Sequence, residues 1–349
     1  MKAARIVAPN QVRLEDVEVP KIGPGELLIH LRTCGICGTD IEKIHGNQLT
    51  PPHLGHELTG EVAEIGSNLQ DFRKGQRVAV HHHVPCYTCY YCTRGAYTMC
   101  EQFPQTNLDP CGLAEYFRVP RVNVEGGAVH PLPGNVSFEE GALAEPTGCC
   151  IRGLTKVGGV QPGEMIAILG AGSVGMIHLQ LGLCMGASRV VVGDIVTSRL
   201  QIARRFGASD AVNVKERDFR DAVRDQTAGI GADLTIVATP NTSAIPIAIR
   251  ATRKGGRILL FGAPDVGAAV QFDTSDIFIR EISIISSYST SEKEISDALK
   301  LIESRRIDVS GLITHRFKFK ETLEALRMAE SGLDALKVMI INSDFAEAG

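Results

Sequence analysis

The run MIAILGAGSVGMIHLQLGLCMGA constrains the fold of this chain more than any other stretch. An apolar strand passes through a glycine turn into an apolar helix, the local pattern of a nucleotide-binding βα unit. Gly170, Gly172 and Gly175 form G-x-G-x-x-G. The first allows the tight turn, the second lets a pyrophosphate approach the backbone, and the third lets helix and strand pack closely. The phosphates then sit at the positive helix N-terminus, beside Ser173 and Val174. By itself the motif is weak evidence, and a glycine turn in an α/β fold without a nucleotide is the bland alternative. The context strengthens it, because Asp194 ends the next strand at the expected separation. An aspartate there accepts hydrogen bonds from ribose hydroxyls and repels a 2′-phosphate, so NAD is expected over NADP. Arg199 lies close enough in sequence to soften that preference, and a helix cap is the bland role for Asp194.

The surrounding pattern agrees. From Gly163 onward, apolar strands alternate with helical stretches, as in a parallel α/β sheet. The strands are expected at Met165–Leu169, Val190–Gly193, Ala211–Val214, Leu234–Ala238, Arg257–Phe261 and Ile282–Ser286. Six of them suit a doubly wound domain. Before Gly163 the chain reads as short β segments broken by turns, such as GELLIHLRT, LTGEVAEIG and QRVAVHHHV. After Ser289 come a helix at Glu292–Ser304, the segment ITHRFKFK, a helix from Glu321 and the apolar end ALKVMIIN. This tail is too short for a third domain and is expected to complete the first. At 349 residues the chain divides naturally into a β-rich domain over 1–150, a nucleotide-binding domain over 151–289 and a returning segment over 290–349.

Cysteine placement supplies the second constraint. Cys86, Cys89, Cys92 and Cys100 stand as C-x2-C-x2-C-x7-C inside a lobe at about 84–102. Four thiolates this close can surround one Zn²⁺ tetrahedrally with no open position, which makes the site structural. A disulfide framework is the competing reading, but it suits small secreted chains, and MKAARIVAPN lacks the apolar core of a signal peptide. Elsewhere Cys37 lies in CGICGTD, His56 and Glu57 in LGHELTGEVAEIG, and Glu145 in LAEPTGCC. One thiolate, one imidazole and one or two carboxylates are a mixed set that leaves zinc room for a water or substrate oxygen. Spacing alone does not join residues so far apart.

Along essentially its whole length the chain resembles the zinc-containing medium-chain dehydrogenase/reductase family. The resemblance is strongest to the branch of sorbitol, threonine and butanediol dehydrogenases. It is carried by CGICGTD, GHELTGEVAEIG, the four-cysteine lobe, CGLAEYF, LAEPTGCC, GAGSVG, GDIVTSRLQIARRFGA and GGRILLFG, in that order. It implies an α/β protein with a GroES-like β-rich catalytic domain and a Rossmann domain. It also implies a homodimer or homotetramer, and the cofactors Zn²⁺ (one catalytic, one structural) and NAD. Cys37, His56, Glu57 and Glu145 fall on the family's catalytic-zinc positions, and Thr39 on that of the hydroxyl that relays the alcohol proton. Two departures stand out. Many relatives carry His five residues after the zinc Cys, where this chain has Glu42, with His45 three residues later as the substitute relay group. Relatives acting on sorbitol often have Arg before the Tyr after the last Rossmann strand, where this chain reads Ser287-Tyr288.

The implied activity is NAD-dependent oxidation of a secondary alcohol, a polyol or related hydroxylated compound. An L-threonine or amino-alcohol dehydrogenase is the alternative within the class, and a zinc-ribbon binding module without catalysis is the alternative outside it. A formal net charge of −4 speaks against nucleic-acid and anionic-membrane partners, and no apolar run reaches the length of a membrane span. A cytoplasmic location is expected. His81, His82 and His83 invite a metal reading. Strand alternation puts His81 and His83 on one face and His82 on the other, so packing at the mouth of the zinc lobe is expected instead.

Overall fold

The computed structural model describes residues 1–46, 53–332 and 335–342. It divides into two units, one of Met1–Gly148, Thr290–Arg305 and Val309–Gly349, the other of Cys149–Ser289 and Arg306–Asp308.

The second unit holds a six-stranded sheet in the spatial order Asp210–Asn213, Arg189–Asp194, Met165–Leu169, Ala232–Val237, Thr252–Leu260, Ser283–Ser286. Every adjacent pair is parallel. Numbered along the chain this is the order 3-2-1-4-5-6 of a doubly wound dinucleotide fold. The central strands are apolar on both faces because helices cover both sides. Ile166, Ala167, Ile168, Val190, Val191 and Val192 are all fully buried. Met165–Leu169 falls where the sequence places it. Thr252–Leu260 starts five residues early because Thr252 pairs with Ala232 before a register shift resets the ladder at Leu234–Arg257. The strand order reverses between Met165–Leu169 and Ala232–Val237, and there the glycine loop leaves the sheet.

The first unit is built on Leu27–Gly35. This strand pairs antiparallel with Glu57–Ile65 along most of its length, with Tyr116–Val119 near its start and with Lys337–Ile341 at its end. Glu57 therefore stands opposite Gly35, and so does Met339 from the chain's far end. The core beneath includes Leu27, Ile29, Leu31, Leu58, Val62, Phe117, Val338 and Ile340. The strand expected through QRVAVHHHV ends at Val80, so the three histidines lie just beyond it. Helix Glu292–Glu303 starts with a capping box in which Ser291 and Glu294 satisfy each other's backbone donors.

Candidate metal centres and dinucleotide loop

The cysteine lobe is a knot of short turns. Cys92 sits in a 3₁₀ turn closed by Gly95, and Tyr87 takes a left-handed conformation between the first two cysteines. Ligand atoms of Cys86, Cys89, Cys92 and Cys100 all lie within 4.8 Å of one another, and all four thiols are free. Backbone N–H groups aim at sulfur: Cys89 N donates to Cys86 Sγ at 3.3 Å, and Cys86 N to Cys100 Sγ at 3.3 Å. The Thr88 hydroxyl adds a third donor, at 3.6 Å from Cys86 Sγ. These donors, the Thr88 hydroxyl first, lower the Cys86 thiol to about 6. Burial, with the neighbouring sulfurs, pushes Cys92 up to about 12. Four convergent thiols with N–H groups that support thiolate charge fit a closed tetrahedral zinc site.

A second set converges in the same unit. Cys37 caps the helix Gly38–His45, and His56–Glu57 open the strand Glu57–Ile65. Ligand atoms of Cys37, His56 and Glu57 lie within 4.8 Å of one another. Thr39 Oγ1 is 3.3 Å from His56 Nε2. On the other edge of the ring, Nδ1 lies 3.4 Å from Asp40 Oδ1. Asp40 is buried and accepts from the backbone N–H of Cys37 and of Gly55, each at 3.0 Å. A carboxylate behind a histidine fixes which nitrogen faces the metal. Burial alone would raise the Asp40 carboxyl, but His56 holds it well below its ordinary range. Burial likewise disfavours a charged His56, yet Asp40 and Cys37 draw it toward the protonated form, a proton that metal binding would displace.

Glu57 faces a partner from the chain's far end. Lys337 Nζ is 2.7 Å from each Glu57 oxygen and donates to Ile36 O at 3.3 Å. Both residues are almost fully buried. Burial would strip the proton from Lys337, but Glu57, and after it Cys37, hold it on. A side chain at Gly35 would come within 2.1 Å of Glu57 Oε2, so the pair needs glycine there. Glu145, in the first turn of helix Ala144–Lys156, is buried and acts electrostatically on Glu57 and Lys337. It lies outside the three-residue set within 4.8 Å among the described residues.

The glycine loop has the shape a pyrophosphate requires. Gly170 has φ +104, and a Cβ there would lie 2.7 Å from Ala238 O. At Gly175 a Cβ would sit 2.0 Å from Gly170 O, whereas at Gly172 nothing lies within 4 Å. Helix Ser173–Cys184 has no side-chain N-cap, which leaves its first N–H groups for an anion. Asp194 accepts from Ala171 N at 2.6 Å through Oδ2, and from Ile195 N and Val196 N at 2.7 and 2.8 Å through Oδ1. A carboxylate has about four lone-pair sites, so one acceptor position is left for a ribose hydroxyl.

Two family models cover much of the chain: an alcohol dehydrogenase GroES-like domain over residues 23–133 and a zinc-binding dehydrogenase over 173–304. Sorbitol dehydrogenase of Bombyx mori is 31% identical over 350 residues, covering 97% of each chain. The chain belongs to the zinc-containing medium-chain dehydrogenase/reductase family. A zinc-binding dehydrogenase from Sinorhizobium meliloti 1021 bound to NADP superposes with a TM-score of 0.87 at 26% identity, over 98% of this chain and 99% of that one. An alcohol dehydrogenase from E. coli CFT073 complexed with NADH gives 0.88 at 26%, over 98% and 99%. The chain is thus a zinc-binding dehydrogenase of the alcohol dehydrogenase type, which removes the non-catalytic zinc-ribbon reading.

One expectation for this dehydrogenase changes on the structure. His45, expected from sequence as the relay group, is engaged elsewhere: Asn10 Oδ1 meets its Nδ1, and Glu330 Oε1 lies 3.0 Å from its Nε2. Six residues along a helix also turn it about 120° away from Thr39. The histidine triple divides as strand alternation predicts: His81 and His83 pack on Phe103 of the lobe, while the His82 ring is 5.3 Å from that of His56. Asp40 and Lys337 were missed. Asp40 was visible as the carboxylate three residues after Cys37, but Lys337 carries no local signal.

Proposed function

We propose that this dehydrogenase oxidises a secondary alcohol bearing further hydroxyls, a polyol or related compound, with NAD. The observation that carries the reading is the convergence of Cys37, His56 and Glu57 with a hydroxyl, Thr39, 3.3 Å from the histidine. When bound, zinc polarises the substrate hydroxyl, and NAD takes up the hydride. Cys37 and His56 hold the metal, and Glu57 or Glu145 completes or tunes the set. Asp40 keeps the His56 ring oriented. Thr39, 3.3 Å from His56 Nε2, would accept the alcohol proton at Oγ1. Lys337 offsets the Glu57 charge, so the site carries less net negative charge than its carboxylates imply. Gly170, Gly172, Ser173, Val174 and Gly175 bind the pyrophosphate, and Asp194, with Arg199 nearby, binds the adenosine ribose.

Self-association through the Rossmann sheet belongs to the same proposal. Strand Ser283–Ser286 is the sheet edge, and the preceding helix exposes Phe278 and Ile279 at 84% and 73%. The convergence of Cys86, Cys89, Cys92 and Cys100 as thiols rather than disulfides supports a reducing, cytoplasmic setting. No described helix is long and apolar enough to cross a membrane. The test is an NAD-linked screen over polyols, simple diols, threonine and monohydric secondary alcohols, with and without a zinc chelator. Turnover of diols or polyols that the chelator abolishes supports the reading. Threonine as the sole good substrate redirects it to the amino-alcohol branch, and chelator-resistant turnover refutes the zinc assignment.

A further inference from the structure

His82 carries unspent hydrogen-bonding capacity, as His81 does, but only His82 of the triple sets its ring beside that of His56. His81 Nδ1 faces Glu292 Oε1 at 3.5 Å, and His83 Nδ1 meets Thr106 O. His82 is only 8% exposed, and its Nδ1 is buried with no partner. Its main chain is fixed, because the buried Asn123 amide donates to His82 O at 2.9 Å. The ring stands 5.3 Å from that of His56, yet His82 is not in the set that contains Cys37, His56 and Glu57. A buried ring nitrogen without a partner carries a desolvation cost of about 1–3 kcal/mol, and a hydroxyl supplied from outside would remove it. A neutral imidazole offers one donor and one acceptor, the match for an uncharged hydroxyl.

We propose that His82 determines specificity by hydrogen-bonding a second hydroxyl of the substrate, the one next to the reacting carbinol. This rests on the polyol reading above and adds to it the group that reads the extra hydroxyl. A site built to bond a hydroxyl discriminates against the analogue lacking it, because the site's own polar group is then left unpaired.

The test compares wild type, His82→Phe and His82→Asn as zinc-loaded full-length enzymes. The probes are a vicinal butanediol and the corresponding monohydric secondary butanol, which share a carbon skeleton and differ by one hydroxyl. Zinc content and thermal protection of the NADH complex by the butanediol give readouts free of turnover. Wild type should favour the diol. His82→Phe should lose about tenfold in the diol-to-butanol ratio of kcat/KM, the worth of one hydrogen bond. It should also lose the diol's thermal protection while keeping butanol turnover and two zincs. His82→Asn should recover part of both. An unchanged ratio in His82→Phe, or a wild type without diol preference, overturns the assignment and leaves the dehydrogenase reading intact. Loss of one zinc in His82→Phe also overturns it, by making His82 a ligand. If wild type oxidises neither alcohol, the polyol reading fails, and diol protection of the NADH complex by itself decides the role of His82.

Discussion

Replacing Lys337 by Met tests how the catalytic half is held together. The ammonium and the Glu57 carboxylate are 3% and 1% exposed, and Nζ meets both carboxylate oxygens at 2.7 Å. Methionine keeps the length of the stem and removes the charge. Glu57 is then a buried carboxylate without its cation, 20 residues from Cys37 in sequence but within 4.8 Å in space. Breaking a buried pair by deleting one partner costs about 3–5 kcal/mol, mostly the penalty of the charge left behind. For a unit of this size, each kcal/mol lowers Tm by about 2–4 °C, so a loss of roughly 6–20 °C is expected. The pair's pH dependence has a definite sign. Lys337 is raised above 10.5 in the fold, so its contribution is complete below the ordinary lysine range and is lost only as pH climbs through the raised value. The deficit of Lys337→Met should therefore persist as pH rises through neutrality and narrow as pH falls, when the orphaned Glu57, already raised by burial, takes up a proton. The assay is thermal unfolding of the chelator-treated protein, with the double variant Glu57→Gln/Lys337→Met closing a mutant cycle. If the orphaned charge is the cause, the double variant should regain much of the loss. Single-variant costs that simply add, or a Lys337→Met melting point equal to wild type, would refute the argument.

Cys92→Ser should lose one of two zincs by metal analysis and melt markedly lower, since apparent binding energies of structural zinc sites are on the order of 10 kcal/mol. Asp194→Ala should weaken NAD binding, narrow the gap to NADP and loosen the glycine loop, because three backbone donors lose their acceptor; cofactor titration by nicotinamide fluorescence and hydrogen exchange at Ala171 measure both effects. His178 lies fully buried, edge-on to Phe261 with ring centroids 4.5 Å apart, and neither ring nitrogen has a partner. His178→Leu should raise stability by about 1–3 kcal/mol, read as a higher denaturant midpoint. Burial lowers His178 from 6.5 to about 3, so wild type loses stability as pH falls through that window, and His178→Leu should show a shallower acid slope.

Features encoded by neighbours in sequence were legible. The four-cysteine lobe spans 15 residues, so its spacing fixes which sulfurs can meet. The glycine loop and Asp194 lie on consecutive strands of a βα unit whose handedness and order follow from local periodicity. Five of the six Rossmann strands begin within two residues of their expected starts, because unbroken apolar runs mark strands buried on both faces. Features made by strand pairing were not legible. Cys37 and His56 meet because one precedes a helix and the other opens a strand laid beside Leu27–Gly35. Lys337 reaches Glu57 across 280 residues only because the last strand adds to the far end of that same strand. The diversion of His45 to Asn10 and Glu330, and the turn of His82 toward His56 past the strand end at Val80, depend on how separate elements pack. A sequence sets spacing and periodicity within an element. Sheet register and packing then decide which distant side chains share a buried, low-dielectric volume, and it is there that charges pair, pKa values move and a metal set closes.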